Sequence, residues 1–268
     1  MSQSPNNGWW LPVGLGIAAA VGSPLLQIWT GRPEPYIFLL TALILLFWWL
    51  SRHSRAEFGL LWGRRRQHAI ALLYPVAAMG LCAALAAVFG ELDPAAPGLG
   101  KLAGDLALMF TATWIGVLIS EEGFFRGTLW HLSQRAGFNG NQTLIWTSIA
   151  FVAWHIAVPI IDPAFVLPAW QIPIYLGNGL LLGLAWGAIR LLTGSVLVCC
   201  SAHASWNALA YVLFGYGEKT GLLGIDAVIW FDPERGLLGL LVNSLVVYWL
   251  LNRAGLGTSR LGDVPQNI

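Results

Sequence analysis

The stretch VLISEEGFFRGTLW, from Val117 to Trp130, carries three ionisable side chains within sequence that is otherwise apolar. Glu121 and Glu122 are adjacent, and Arg126 follows four residues after the second glutamate. Ionisable side chains are costly in the hydrocarbon of a bilayer, and those found there usually face a bundle interior and mark function. If the surrounding sequence spans a membrane, this stretch predicts a polar site inside it.

The composition indicates that the surrounding sequence spans a membrane. Of the 268 residues, 57% are hydrophobic and only 10% are charged, whereas soluble domains carry about 25% charged residues. Several uncharged runs approach or exceed the roughly 20 residues that cross a bilayer as a helix. We therefore expect an all-α polytopic membrane protein, a single integral membrane domain over residues 1–268 with about eight transmembrane helices. The predicted spans are about 9–29, 36–50, 69–90, 106–130, 143–161, 172–190, 195–215 and 236–252.

The loop SRHSRAEFGLLWGRRRQH, between the second and third spans, fixes the predicted topology. It contains five arginines, and short loops rich in Lys and Arg stay in the cytoplasm. With eight spans, both termini are then cytoplasmic, and the acids Asp232 and Glu234 fall in an exterior loop. No basic cluster is interleaved with aromatic residues as in nucleic-acid-binding proteins, so the expected surroundings are the lipid bilayer and no nucleic acid.

Helix geometry separates the roles of the two glutamates. Residues four apart lie on one face of a helix, so Arg126 is placed to neutralise Glu122. Glu121 points elsewhere and is the better candidate for a general base.

Two further polar pairs have the same spacing in neighbouring predicted spans. Phe151 and His155 lie in AFVAWHIAVP, and His203 and Asn207 lie in CSAHASWNALA. Taken singly, each polar group could simply hydrogen-bond one transmembrane helix to another. Two acids, a cation, two imidazoles and an amide in one chain are better explained by a coordinated site.

Peptide hydrolysis inside the membrane uses every member of this set. Glu121 and His155 could activate a water, and His203 with Asn207 could donate to the oxyanion. The sequence has no H-E-x-x-H zinc motif and no G-x-S-x-G serine motif. No metal site and no cofactor are predicted, although two carboxylates and two imidazoles leave zinc binding open.

The three motifs in order, EEGFFR, FVAWH and HASWN, resemble the E-E-x-x-x-R, F-x-x-x-H and H-x-x-x-N motifs of the CPBP family. This family of intramembrane glutamic endopeptidases includes the CAAX protease Rce1 and the bacterial Abi proteins. The matching segment runs over about residues 105–215. The resemblance implies an eight-helix fold with an internal catalytic cavity, water activation by Glu121 and His155, and an oxyanion site at His203 and Asn207.

The site residues inferred from the motifs and the resemblance comprise six catalytic residues and one substrate-binding residue. The catalytic set is Glu121, Glu122, Arg126, His155, His203 and Asn207, and the substrate-binding residue is Phe151. The implied partner is a membrane-anchored protein or peptide, either a CAAX-type protein, a peptide precursor or a C-terminal sorting tail.

Two other function classes stay open at this point. A non-enzymatic membrane module, such as a bacteriocin-immunity or scaffold protein, could use the same cluster for packing or partner binding. A transporter or proton pathway is a third reading, and the lack of a detectable inverted repeat counts against it. The compact chain without long loops favours a prokaryotic inner-membrane protein.

Overall fold

The computed structural model describes residues 8–32, 34–95, 98–162, 165, 167–217 and 219–255, with side chains for all of these except 34–36. Both chain ends, residues 1–7 and 256–268, lie outside the described residues. The predicted cytoplasmic position of the termini therefore falls on residues that the structure does not describe.

The described chain is almost entirely helical, as expected for a bilayer protein, because a helix satisfies its own backbone hydrogen bonds without water. Two π-helices, π1 (Gly123–Thr128) and π2 (Ala210–Phe214), interrupt the series, and a two-stranded antiparallel hairpin pairs β1 (Gly215–Tyr216) with β2 (Lys219–Thr220). The α-helices are α1 (Trp10–Thr30), α2 (Glu34–Ser51), α3 (Arg55–Phe58), α4 (Arg65–Val88), α5 (Leu99–Ile119), α6 (Leu129–Arg135), α7 (Gly140–His155), α8 (Val158–Ile161), α9 (Ile172–Thr193), α10 (Val196–Leu209), α11 (Val228–Phe231) and α12 (Leu237–Arg253).

The all-α polytopic membrane fold is confirmed. Within the described ranges, 6 helical segments are long and apolar enough to cross a bilayer, and Ile37–Ser51 and Leu237–Arg253 are shorter apolar helices. Short helices can cross where the bilayer thins or where flanking residues anchor them. The count of eight spans stays a prediction.

Helix α10 lies at the centre of the bundle. It packs against α5, α4 and α9, and nearly all of its residues are buried. Helix α5, by contrast, buries only Val117, so most of its surface faces outward. Because His203 and Asn207 lie on this buried helix, both residues are near the middle of the protein.

Small residues bring α7 and α9 close together. Gly179, Gly183 and Gly187 recur every four residues along α9, the small-xxx-small pattern by which membrane helices approach closely. A methyl group at Gly187 would overlap a Leu144 side-chain carbon, and one at Gly183 would lie 3.3 Å from the Phe151 ring. This close packing fixes the position of the Phe151 and His155 helix relative to α9.

The predicted fourth span, 106–130, is not one continuous α-helix. Helix α5 ends at Ile119, Ser120 adopts φ −129° and ψ −95°, and a π-helix begins at Gly123. A methyl group at Gly123 would overlap the Leu118 carbonyl oxygen, so only glycine fits this break. π-Helical turns are rare and are frequent at functional sites, and this one carries the charged motif.

Candidate active site

Glu122, Arg126 and His203 form a fully enclosed polar cluster, called here the buried cluster. Arg126 Nε lies 3.5 Å from Glu122 Oε2, and both side chains have 0% exposure. His203 Nδ1 lies 3.0 Å from Glu122 Oε1. The predicted pairing of Glu122 with Arg126 is confirmed. Because a carboxylate only accepts hydrogen bonds, His203 Nδ1 is the donor, and its Nε2 points away from Glu122.

Arg126 is held from several sides besides Glu122. Its Nη2 donates to the Gly183 carbonyl at 2.8 Å, and its guanidinium carbon lies 4.5 Å from the centroid of the Phe151 ring. Arg190 Nε in turn donates to the Arg126 carbonyl at 2.9 Å. These contacts tie π1 to α9 and position the buried cluster.

Glu121 lies apart from this cluster and faces His155. Glu121 Oε2 is 3.6 Å from His155 Nε2, and the side chains are 16% and 18% exposed. That separation is too long for a direct hydrogen bond. His155 Nδ1 donates to the Phe151 carbonyl at 2.9 Å, so in the neutral ring Nε2 is an acceptor. A water between two acceptors could donate a hydrogen bond to each.

Aromatic rings fix the orientation of both imidazoles. The ring of His203 stacks on Trp186 at a centroid distance of 3.8 Å and an interplanar angle of 15°. Trp186 Nε1 donates to the Tyr74 hydroxyl at 2.7 Å. The ring of Phe151, 2% exposed, lies 4.2 Å from that of His155. Phe151 thus supports His155 directly, and its predicted contact with substrate is untested.

A cavity of about 40 Å³ opens beside these groups. About 10–15 Å³ of such space suffices for one water molecule, so the cavity has room for water. Glu121 is not among its lining residues, although its partner His155 is. The lining residues are Phe151, His155, Tyr175, Gly179, Leu182, Trp186, His203, Asn207, Tyr211 and Glu234.

The structure brings all seven predicted site residues into one region, on π1 and the residues before it, α7 and α10. The sequence interpretation missed Trp186, Tyr175, Tyr211 and Glu234. Nothing in the sequence marked the three aromatic residues as part of a site, because the chain has 15 tryptophans and 6 tyrosines.

Glu234 corrects an expectation. It was expected to face the exterior with other loop acids, whereas it is partly buried and lines the cavity. The loop that carries it folds back into the bundle and packs against α9 and α10.

The donor set does not form a metal centre in the part of the chain that the structure describes. No group of three or more His, Cys, Asp or Glu side chains is arranged there to hold a metal ion. The four carboxylates and imidazoles of the motifs instead form two separate contacts, Glu121 with His155 and Glu122 with His203.

The segment that contains these site residues is similar to a known protein family. Residues 103–209 match the family model described as "Type II CAAX prenyl endopeptidase Rce1-like". The match covers less than half of the chain and shows that this segment is similar to the Rce1-like family. The matched residues include every motif residue from Glu121 to Asn207. In general terms, this similarity supports a membrane protease function of the CAAX type. No curated protein and no solved structure gave a significant match.

Proposed function

We propose that this Rce1-like chain is an intramembrane endopeptidase that hydrolyses a peptide bond with a water activated by Glu121 and His155. Its substrate is a membrane-anchored protein or peptide, whether a CAAX-type protein, a peptide precursor or a C-terminal sorting tail. The observation that carries the proposal is the 3.6 Å separation of Glu121 Oε2 and His155 Nε2. Two acceptors on different helical segments converge there beside a cavity that can hold water.

The first step is the attack of that water on the substrate carbonyl. The water oxygen bonds to the carbonyl carbon, and its proton passes to Glu121 or His155. A general base within hydrogen-bond reach of the attacking water contributes about 10²–10⁴-fold to the rate. The hydrogen bond from His155 Nδ1 to the Phe151 carbonyl keeps Nε2 directed at the water.

The oxyanion that forms is assigned to His203 and Asn207, which lie one helical turn apart on α10 and both line the cavity. His203 Nδ1 is engaged by Glu122, so donation from Nε2 requires the doubly protonated ring. The Glu122 carboxylate fixes the orientation of the His203 ring by accepting from Nδ1. Glu122 and Arg126 therefore act in this proposal as positioning residues. Glu122 orients His203, and Arg126 neutralises Glu122.

The proposal also includes the membrane in which the protein lies and its orientation there. We infer a single integral membrane domain with a motif-bearing core at about 105–215, both termini in the cytoplasm, in a prokaryotic inner membrane. The support is the segment from the end of α2 to the first turn of α4, which is rich in arginine as expected of a cytoplasmic segment. Its arginines are all exposed: Arg52, Arg55, Arg64, Arg65 and Arg66. Reporter fusions at the two ends and in this loop test the orientation.

The decisive experiment compares wild type with Glu121→Gln in membranes, using mass spectrometry to follow cleavage of candidate membrane-anchored peptides. Glutamine keeps the shape and removes the base. Glu91→Gln is the matched control, because Glu91 follows α4 and does not line the cavity. A parallel reaction with chelator tests for metal chemistry.

Cleavage that survives chelator, persists in Glu91→Gln and is lost in Glu121→Gln supports the proposal. Cleavage that chelator abolishes would assign the chemistry to a metal. Equal cleavage by wild type and Glu121→Gln would overturn the catalytic role of Glu121 and leave the polar residues as a packing or partner-binding cluster.

A further inference from the structure

Glu234 is a carboxyl group on the cavity wall that lies outside both the three motifs and the matched segment. It belongs to the loop Asp232–Gly236 between α11 and α12. It lines the cavity together with His203 and Asn207. The cavity thus has an acid that the water-activation scheme does not use.

The loop holds Glu234 in a fixed place. Trp206 Nε1 donates to Glu234 Oε1 at 2.7 Å, and Trp206 immediately precedes Asn207. Asp232 Oδ1 accepts from the Glu234 backbone N–H at 2.8 Å. Asn178 Nδ2 donates to the Gly236 carbonyl at 3.1 Å, which ties the end of the loop to α9. A carboxyl group held this firmly is suited to one defined contact.

The surroundings of Glu234 favour its protonated form. The adjacent cation, Arg235, pairs with Asp232 through two donors, Nε at 3.0 Å and Nη2 at 2.6 Å. No described salt bridge joins Glu234 to a cation. Burial and, secondarily, the Asp232 charge raise the pKa of Glu234 to about 7. Below that pH the side chain is a carboxylic acid with a proton to give.

Peptide hydrolysis needs such a proton, because an amine leaves only when its nitrogen is protonated. The other cavity groups are otherwise engaged: His155 faces Glu121, and His203 must keep its protons to bind the oxyanion. The tyrosines Tyr175 and Tyr211 are much weaker acids, with a reference pKa of about 10. Glu234 is the group whose chemistry fits the remaining step.

We propose that Glu234 is the general acid that protonates the leaving nitrogen, an inference that rests on the proposed peptidase function. As the carbon–nitrogen bond breaks, its electron pair stays on nitrogen, and the Glu234 proton bonds to it. The oxyanion collapses to the new carboxylic acid. Glu234 is left as a carboxylate and regains a proton from the Glu121–His155 side through cavity water. One water is consumed, and no other reactant is needed.

The test compares two matched substrates, a membrane-anchored peptide that wild type cleaves and the same peptide with a thioester at the scissile bond. A thiolate leaves without protonation, since thiols have a pKa of about 8.5. Glu234→Gln should lower amide cleavage by about a hundredfold or more and leave thioester cleavage close to wild type. The Gln side-chain oxygen can still accept from Trp206.

Asp226→Asn serves as the control, because Asp226 is an exposed acid in the segment before α11 and does not line the cavity. Both substrates should be cleaved by it at the wild-type rate. If Glu234→Gln slows both substrates equally, or neither, Glu234 is not the general acid. Glu121→Gln must abolish cleavage of both substrates; thioester cleavage that survives in that variant would refute the proposed base separately.

The pH profile gives a second readout that a purely structural role would not move. Amide cleavage by wild type should fall above about pH 7 as Glu234 ionises. Trp206→Phe removes a hydrogen bond that favours the ionised form, so it should shift this alkaline limb to higher pH. A profile identical in wild type and Trp206→Phe would count against the proposal.

Discussion

The two adjacent glutamates lie in regions of opposite character. The buried cluster around Glu122 has no exposed side chain at Glu122 or Arg126, and its charges are neutralised by direct partners. On the other side, Glu121 and His155 are partly exposed and lie just beyond hydrogen-bond distance of each other. One residue step along the chain separates a side chain enclosed by its neighbours from one that is 16% exposed. Adjacent residues of one motif therefore differ in burial, and the roles proposed for them divide in the same way.

The largest expected effect is on the Glu121 side and concerns the rate alone. The double variant Glu121→Gln with His155→Ala should be no slower than the slower single variant, because residues that act as a unit are not additive. Each single variant should lose about 10²–10⁴-fold in cleavage rate, with its melting temperature near that of wild type. Rate losses that multiply in the double variant would show that the two residues act independently.

The next effect is on the buried cluster and concerns stability. Arg126→Met leaves the Glu122 carboxylate enclosed without its cation, and breaking a buried pair in this way costs about 3–5 kcal/mol. The measurement is the unfolding free energy in detergent. Arg66→Met is the control, because Arg66 is exposed in the first turn of α4, and it should be neutral. A stable, fully active Arg126→Met protein would contradict the distinction between the two regions.

A smaller effect is expected at the helix break that separates the two glutamate environments. Gly123→Ala would force a methyl group against the Leu118 carbonyl, and overpacking of this kind costs about 1–3 kcal/mol. Gly116→Ala, one turn before the break, meets nothing within 4 Å and should leave stability unchanged or improve it. Comparing the melting temperatures of the two variants in one detergent tests the need for glycine at position 123.

The smallest effect concerns pH and the packing beneath π1. His53 is 4% exposed and its ring lies 4.9 Å from that of His131. Burial is the main effect on the pKa of His53 and lowers it. The Glu57 charge raises this pKa by a smaller amount, and the Arg135 charge lowers it by a smaller amount still. The folded protein therefore binds fewer protons here than the unfolded chain, and stability should fall slightly as the pH drops through the unfolded value of about 6.5.

His53→Phe tests this dependence, because it keeps the aromatic contacts with Trp48 and Phe58 and removes the titrating group. Its melting temperature should change less between pH 7.5 and pH 5.5 than that of wild type. An unchanged slope would assign the pH dependence to other groups, with His131 the first to examine.

The sequence predicted those features that depend on hydropathy and on spacing within a helix. Long apolar runs define spans, and residues four apart share a face, so the Glu122–Arg126 pair could be anticipated. The π-helix could not, because the sequence GFFRGT reads equally well as an α-helix. Glu234 was misplaced for a different reason. Acids in loops are usually solvated, and nothing local in FDPERG reveals that this loop returns to the bundle.

The π-helix also determines the direction in which the helix beyond it faces. Leu129 N–H donates to the Phe124 carbonyl, five residues back, so π1 fits one more residue into its turn than an α-helix would. If the same residues were wound as an α-helix instead, everything beyond them would be rotated by about 100° about the helix axis. Glu122 and His131 would no longer face their present partners together. The wide turn, whose six residues are all buried, therefore sets the direction in which α6 faces relative to Glu122.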